Sequence, residues 1–111
     1  MTTVLLACAA LAGCATKQPS LYQWERYQSN VDAYFRADKL SLNTQTQLME
    51  EDLQKIRTNN GVVPPGYYAH LGLLYAQQGK LNEFSQQMRA EKTQYPESEK
   101  FMDFLLRNFK Q

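Results

Sequence analysis

Large apolar side chains recur at helical spacing along most of this chain, and no segment sustains the alternation of a half-buried strand. Tyr27, Val31, Tyr34 and Phe35 fall at i, i+4, i+7 and i+8, with Trp24 one turn earlier, which predicts a first helix with five large side chains on one face. A second helix is predicted from Asn43 to Arg57. Leu42, Thr46, Met49, Leu53 and Ile56 advance in alternating steps of four and three, and Glu50, Glu51 and Asp52 read as a solvated face off that stripe. Thr58-Asn59-Asn60-Gly61 tolerates left-handed backbone and stops the helix. Pro65 then forces Pro64 out of the helical region, so residues 62–66 read as a turn.

A third helix runs from Tyr67 to Gln78 with Tyr68, Leu71, Gly72 and Tyr75 on one stripe, and Gly79 fits the position just past its end. The fourth spans about Leu81 to Thr93, carries Leu81, Phe84 and Met88 on its face, and ends at Tyr95-Pro96. The fifth begins near Ser98, read as its N-cap, with Glu99 in the first turn and Arg107 and Lys110 near the end, where their charges suit the macrodipole. Phe101, Phe104, Leu105 and Phe109 on this last helix are expected to be buried. The fold class is all-α.

Shifting the chain by 41 residues lays Tyr27, Tyr34, Lys39 and Leu40 on Tyr68, Tyr75, Lys80 and Leu81, which marks an internal repeat of helix pairs. Tyr68, Leu71-Gly72, Tyr75, Gly79 and Pro96 stand where a tetratricopeptide unit of 34 residues has its aromatics, its Leu-Gly, its inter-helix turn and its terminal proline, so residues 65–98 resemble one such unit. Phe84 and Glu91 stand where that pattern has Ala, which implies a wider or locally shifted pair. The resemblance implies two tetratricopeptide-like hairpins within residues 21–111, closed by a C-terminal capping helix. It also implies a concave face lined by Gln28, Asp32, Phe35 and Arg36 from the first unit and Ala69, Leu73, Ala76 and Gln77 from the second. Such a strip suits an extended peptide or a partner helix.

The start of the chain reads differently. Val4 to Ala12 is an uncharged apolar run, too short to span a bilayer, and it ends in Leu11-Ala12-Gly13-Cys14 before turning abruptly polar through residues 15–20. Ala12 and Gly13 are small enough for a peptidase cleft, and Cys14 offers a thiol that can be acylated. The alternative is an apolar helix packed into the domain, which the polar residues after Cys14 oppose. The arrangement resembles the bacterial lipobox, although only Met1-Thr2-Thr3 precede the apolar run where that pattern has Lys or Arg. Cys8 follows Leu5-Leu6-Ala7 but leaves almost no apolar run ahead of it. The lipobox resemblance implies residues 1–13 as a signal peptide cut between Gly13 and Cys14. It further implies diacylglycerol on the Cys14 sulfur, an acyl chain such as palmitate on the new amine, and residues 14–20 as a lipidated tether. The modified cysteine would be the only one left, so no disulfide is expected. Ala15, where an Asp tends to retain such proteins at the inner membrane, implies an outer-membrane anchor with the domain on the periplasmic face.

Composition narrows the function. With 12 Lys+Arg against 11 Asp+Glu, a net charge of +1 and no basic cluster, the chain has no electrostatic footprint for nucleic acid. His70 is the sole histidine and reads as a packed or solvent-facing helix residue. There is no Ser-His-Asp set, no phosphate-cradling glycine loop and no cysteine pair at zinc spacing, so no catalytic residue, metal, cofactor or small-molecule substrate is expected. Pro64-Pro65-Gly66-Tyr67, the run from His70 to Lys80, and Tyr95-Pro96-Glu97-Ser98 with the following apolar residues resemble a family of small bacterial lipoproteins of unknown function. Genes of that family tend to neighbour one for a lipoprotein similar to the curli secretion channel. The resemblance implies an envelope complex and no activity. The expectation is therefore a lipid-anchored, non-enzymatic adaptor or accessory subunit of an outer-membrane lipoprotein complex. The alternative is a peptidoglycan- or glycan-binding lipoprotein that stacks sugars on Tyr22, Trp24 or Tyr67.

Overall fold

The computed structural model describes residues 21–36 and 40–109. The expected signal peptide over residues 1–13, the expected lipidated tether with Cys14, and the Ala37-Asp38-Lys39 stretch lie outside the described residues. Five α-helices account for most of what is described: α1 (Tyr27–Phe35), α2 (Leu42–Thr58), α3 (Tyr67–Gln77), α4 (Leu81–Gln94) and α5 (Glu99–Asn108). A single 3-10 turn, Pro96–Ser98, precedes α5. The all-α class holds, arranged as the hairpins α1–α2 and α3–α4 with α5 packed on α4.

Local chemistry explains most boundaries. Ser41 caps α2 by accepting the Thr44 N–H on its hydroxyl at 3.1 Å. At the other end Asn60 takes φ 52°, its N–H reaches Arg57 O, and the Gly61 N–H reaches back to Ile56 O. Gly79, at φ 74°, closes α3 in the same double-bonded way, with its own N–H on Ala76 O and that of Lys80 on Tyr75 O. Both are Schellman motifs, one built on asparagine and one on glycine. Helix α1 starts at Tyr27, later than its apolar periodicity allows, because Glu25 at φ 46° breaks the backbone and leaves Trp24 in the lead-in, its carbonyl accepting the Tyr27 N–H.

Two clusters make the core. Met49, Leu53 and Ile56 of α2 pack on Val63 and on Tyr67, Tyr68, Leu71 and Leu74 of α3, with Tyr27 and Tyr34 of α1 against their side. Phe84 and Met88 of α4 pack on Met102 of α5, flanked by Ala69, Ala76, Leu105 and Leu106. Each such side chain contributes about 1.5–3 kcal/mol when fully buried. Gly72 sets the approach of α3 to α4, since a Cβ there would stand 2.4 Å from Met88 Cε and 3.1 Å from Gln87 Cβ. At that crossing the pair is close and not widened, despite Phe84 and Glu91 standing on the α4 face.

Three expectations fail. Phe101, Phe104 and Phe109 are exposed, and Met102 is the residue of α5 that enters the core, because α5 is apolar on two adjoining stripes and α4 receives the Met102 side. Ser98 does not cap α5; its hydroxyl donates to Tyr95 O within the 3-10 turn. Asp52 is not on a solvated face but fully buried, for reasons given below.

Candidate functional site

The predicted concave strip divides between two surroundings. On α1, Gln28, Asp32, Phe35 and Arg36 are all exposed, with Asp32 and Arg36 paired at 3.1 Å one turn apart. Phe35 is 76% exposed and its ring meets only the edge of Tyr34 among the described aromatics. From α3, Gln77 joins this corner by donating Nε2 to the Tyr34 hydroxyl at 2.7 Å. Ala69 and Ala76 turn instead toward the Phe84–Met88–Met102 cluster, and Leu73 is half-buried on the same helical stripe. The structure therefore brings Gln77 to the exposed corner at Tyr34 and Phe35, and sets the two alanines beneath α4 and α5.

Asp52, Glu91 and Tyr75 are occupied in holding the helices together. Asp52 receives the Arg26 backbone N–H at 3.2 Å, Arg26 Nε at 3.1 Å and Arg26 Nη2 at 2.7 Å. This clamps the first turn of α1 to α2, and the carboxylate holds the guanidinium above its ordinary pKa. Tyr75 donates its hydroxyl to Glu50, again across helices. Glu91, 3% exposed on α4, accepts the Gly66 N–H on Oε1 at 2.6 Å. Gly66 precedes α3 and has no side chain with which to cap it, so a carboxylate 25 residues away in sequence does so. Burial raises the Glu91 carboxyl above the usual glutamate range, opposed by the N–H groups of Gly66, Ala69 and Tyr68. His70 is packed between the edges of Tyr27 and Tyr34, and burial lowers its imidazole below the ordinary histidine value.

The buried roles of Asp52 and Glu91 depart from expectation, although their spacing carried the signal. Asp52 lies three residues after Met49 and four before Ile56, and Glu91 three after Met88 and seven after Phe84, so both stand on core stripes. The sugar-stacking set also changes. Tyr67 is fully buried and donates its hydroxyl to Met49 O at 2.6 Å, while Tyr22 and Trp24 are half-buried in edge contact with each other.

Among the described residues no three His, Cys, Asp or Glu side chains stand where they could hold a metal ion, and no helix is long and apolar enough to cross a membrane. What the fold defines is a small helical-hairpin domain in which Asp52 and Glu91 tie helices together and whose surface carries aromatics. Residues 21–105 match the family described as Domain of unknown function (DUF4810), and the chain belongs to that family. No curated protein and no solved structure matches it.

Proposed function

We propose that this protein is a lipid-anchored, non-enzymatic adaptor at the periplasmic face of the outer membrane, docking a second envelope protein through its helical domain. The observation that carries the docking role is the placement of its phenylalanines. Of five in the chain, only Phe84 is buried, while Phe35, Phe101, Phe104 and Phe109 stand exposed. A small domain short of core material places such side chains outside when a partner covers them. The Asp52, Glu91 and His70 environments support a structural use of the titratable residues. The lipobox-like Leu11-Ala12-Gly13-Cys14 supports the anchor, and the paired hairpins with Gly72 and Gly79 support a tetratricopeptide-like reading. By the lipoprotein resemblance, the partner is a lipoprotein similar to the curli secretion channel.

Pull-down from detergent-solubilised envelopes tests the reading, with Phe35→Glu and Phe101→Glu/Phe104→Glu as surface variants. The expected result is a reproducible protein partner that at least one variant loses. Recovery of the same proteins by every variant contradicts it. Sedimentation with isolated peptidoglycan separates the glycan-binding alternative, because an adaptor stays in the supernatant.

A further inference from the structure

We infer that the cleft between α4 and α5 binds a single-chain anionic amphiphile, an alkyl chain ending in a carboxylate or a phosphate. The cleft holds about 520 Å³, within the range of small-molecule sites. Its walls are apolar at one end, where the Phe109 ring leans on Phe84 with centroids 5.2 Å apart and Leu81 and Leu106 complete the lining. At the other end Lys92 of α4 and Asp103 of α5 pair at 2.8 Å and tie the helices together. Arg89 and Arg107 also line the cleft, and neither has an ion-pair partner among the described residues. With Lys92 offset by Asp103, the two guanidinium groups leave the cleft with two uncompensated positive charges in a chain whose net charge is only +1.

Charge complementarity thus selects an anion, and the apolar end selects an anion that carries a chain. A guanidinium presents a planar fork of donors that matches a carboxylate or phosphate, and two of them at one cleft fix the head group while the tail lies against Phe84 and Phe109. A neutral lipid would leave the arginines unused, and a short anion would leave the apolar wall wet. No motif in the sequence announces this cleft; it shares Phe109 with the exposed set above, but Arg89, Arg107 and Phe84 carry it without the adaptor reading.

The test is calorimetric titration of the full chain carrying Cys14→Ala, which keeps the protein free of its own acyl groups, with dodecanoate below its micelle concentration. Binding is expected to weaken by up to about fourfold for each methylene removed on going to octanoate. Dodecanol is expected to bind at least about tenfold more weakly, as is dodecanoate to the exposed-site double variant Arg89→Ala/Arg107→Ala, in line with the loss of a charge-assisted hydrogen bond. Shifts of the Phe109 ring and Leu106 methyl resonances on binding place the ligand in the cleft. The inference is overturned if dodecanoate does not bind, if dodecanol or acetate binds as well, or if the double variant binds unchanged. Binding only to phosphatidylglycerol–phosphatidylcholine vesicles, with no uptake of monomeric dodecanoate, overturns it too.

Discussion

Replacing Glu91 isolates the device on which the α3–α4 hairpin depends. The carboxylate is 3% exposed and takes the Gly66 N–H at 2.6 Å, at the start of a helix that has no cap of its own. Glu91→Leu keeps a side chain of similar bulk and leaves that N–H without its acceptor, at a cost of about 1–3 kcal/mol. For a domain this small, a loss near 2 kcal/mol lowers Tm by roughly 10 °C. Glu91→Gln keeps an oxygen acceptor and removes the charge, so it reads the electrostatic part alone. Burial raises the Glu91 carboxyl in the folded chain, so the folded state binds the proton more tightly than the unfolded state. That contribution is fully present below about pH 4.3 and is lost as pH rises through the folded value. Thermal and urea unfolding followed by circular dichroism between pH 4 and pH 7 should therefore show wild type losing ground to Glu91→Gln as pH rises. If Glu91→Leu melts with wild type, Glu91 does not cap α3; if the gap to Glu91→Gln is independent of pH, burial does not raise its carboxyl.

The other expected outcomes are independent of this one. His70 has its imidazole lowered by burial, so its contribution is complete above about pH 6.5 and is lost as pH falls toward the folded value; His70→Gln should flatten the acid limb of a stability-against-pH curve above pH 5. Breaking the clamp by Asp52→Ala or Arg26→Ala should cost about 3 kcal/mol and 2 kcal/mol respectively, the second less because the Arg26 N–H still reaches Asp52, and a double-mutant cycle by urea unfolding should show the two losses to be non-additive. Gly79→Ala should cost about 1 kcal/mol from its φ of 74° alone, with open space around it. Gly72→Leu should cost more, up to about 3 kcal/mol, by driving Met88 and the α4 backbone away, as hydrogen exchange along α4 would report.

How much of this was legible in the chain follows from the range of the forces involved. Asn60, Gly79 and Pro96 end helices through their own backbone chemistry, so those limits could be read locally. Helix α5 shows where periodicity stops being informative. Phe101 and Phe104 lie on one stripe and Met102, Leu105 and Leu106 on the next, and only the shape offered by Phe84 and Met88 decides which one is covered. Asp52 and Glu91 sat at core spacing but carried charge, and their partners, Arg26 and the Gly66 N–H, are 26 and 25 residues away. The predicted strip on α1 and α3 divided because α3 is a shared wall, with His70 and Gln77 toward α1 and Ala69 and Ala76 toward the α4–α5 cluster.

The anchor decides whether an envelope adaptor is the right description. Intact mass spectrometry of the protein extracted from the outer-membrane fraction, beside its Cys14→Ala variant, measures it directly. The expected result is a chain lacking residues 1–13, heavier at Cys14 by a diacylglyceryl and an acyl group, and a variant that carries no lipid and leaves the membrane. An unprocessed chain of 111 residues found in the soluble fraction without added mass contradicts it.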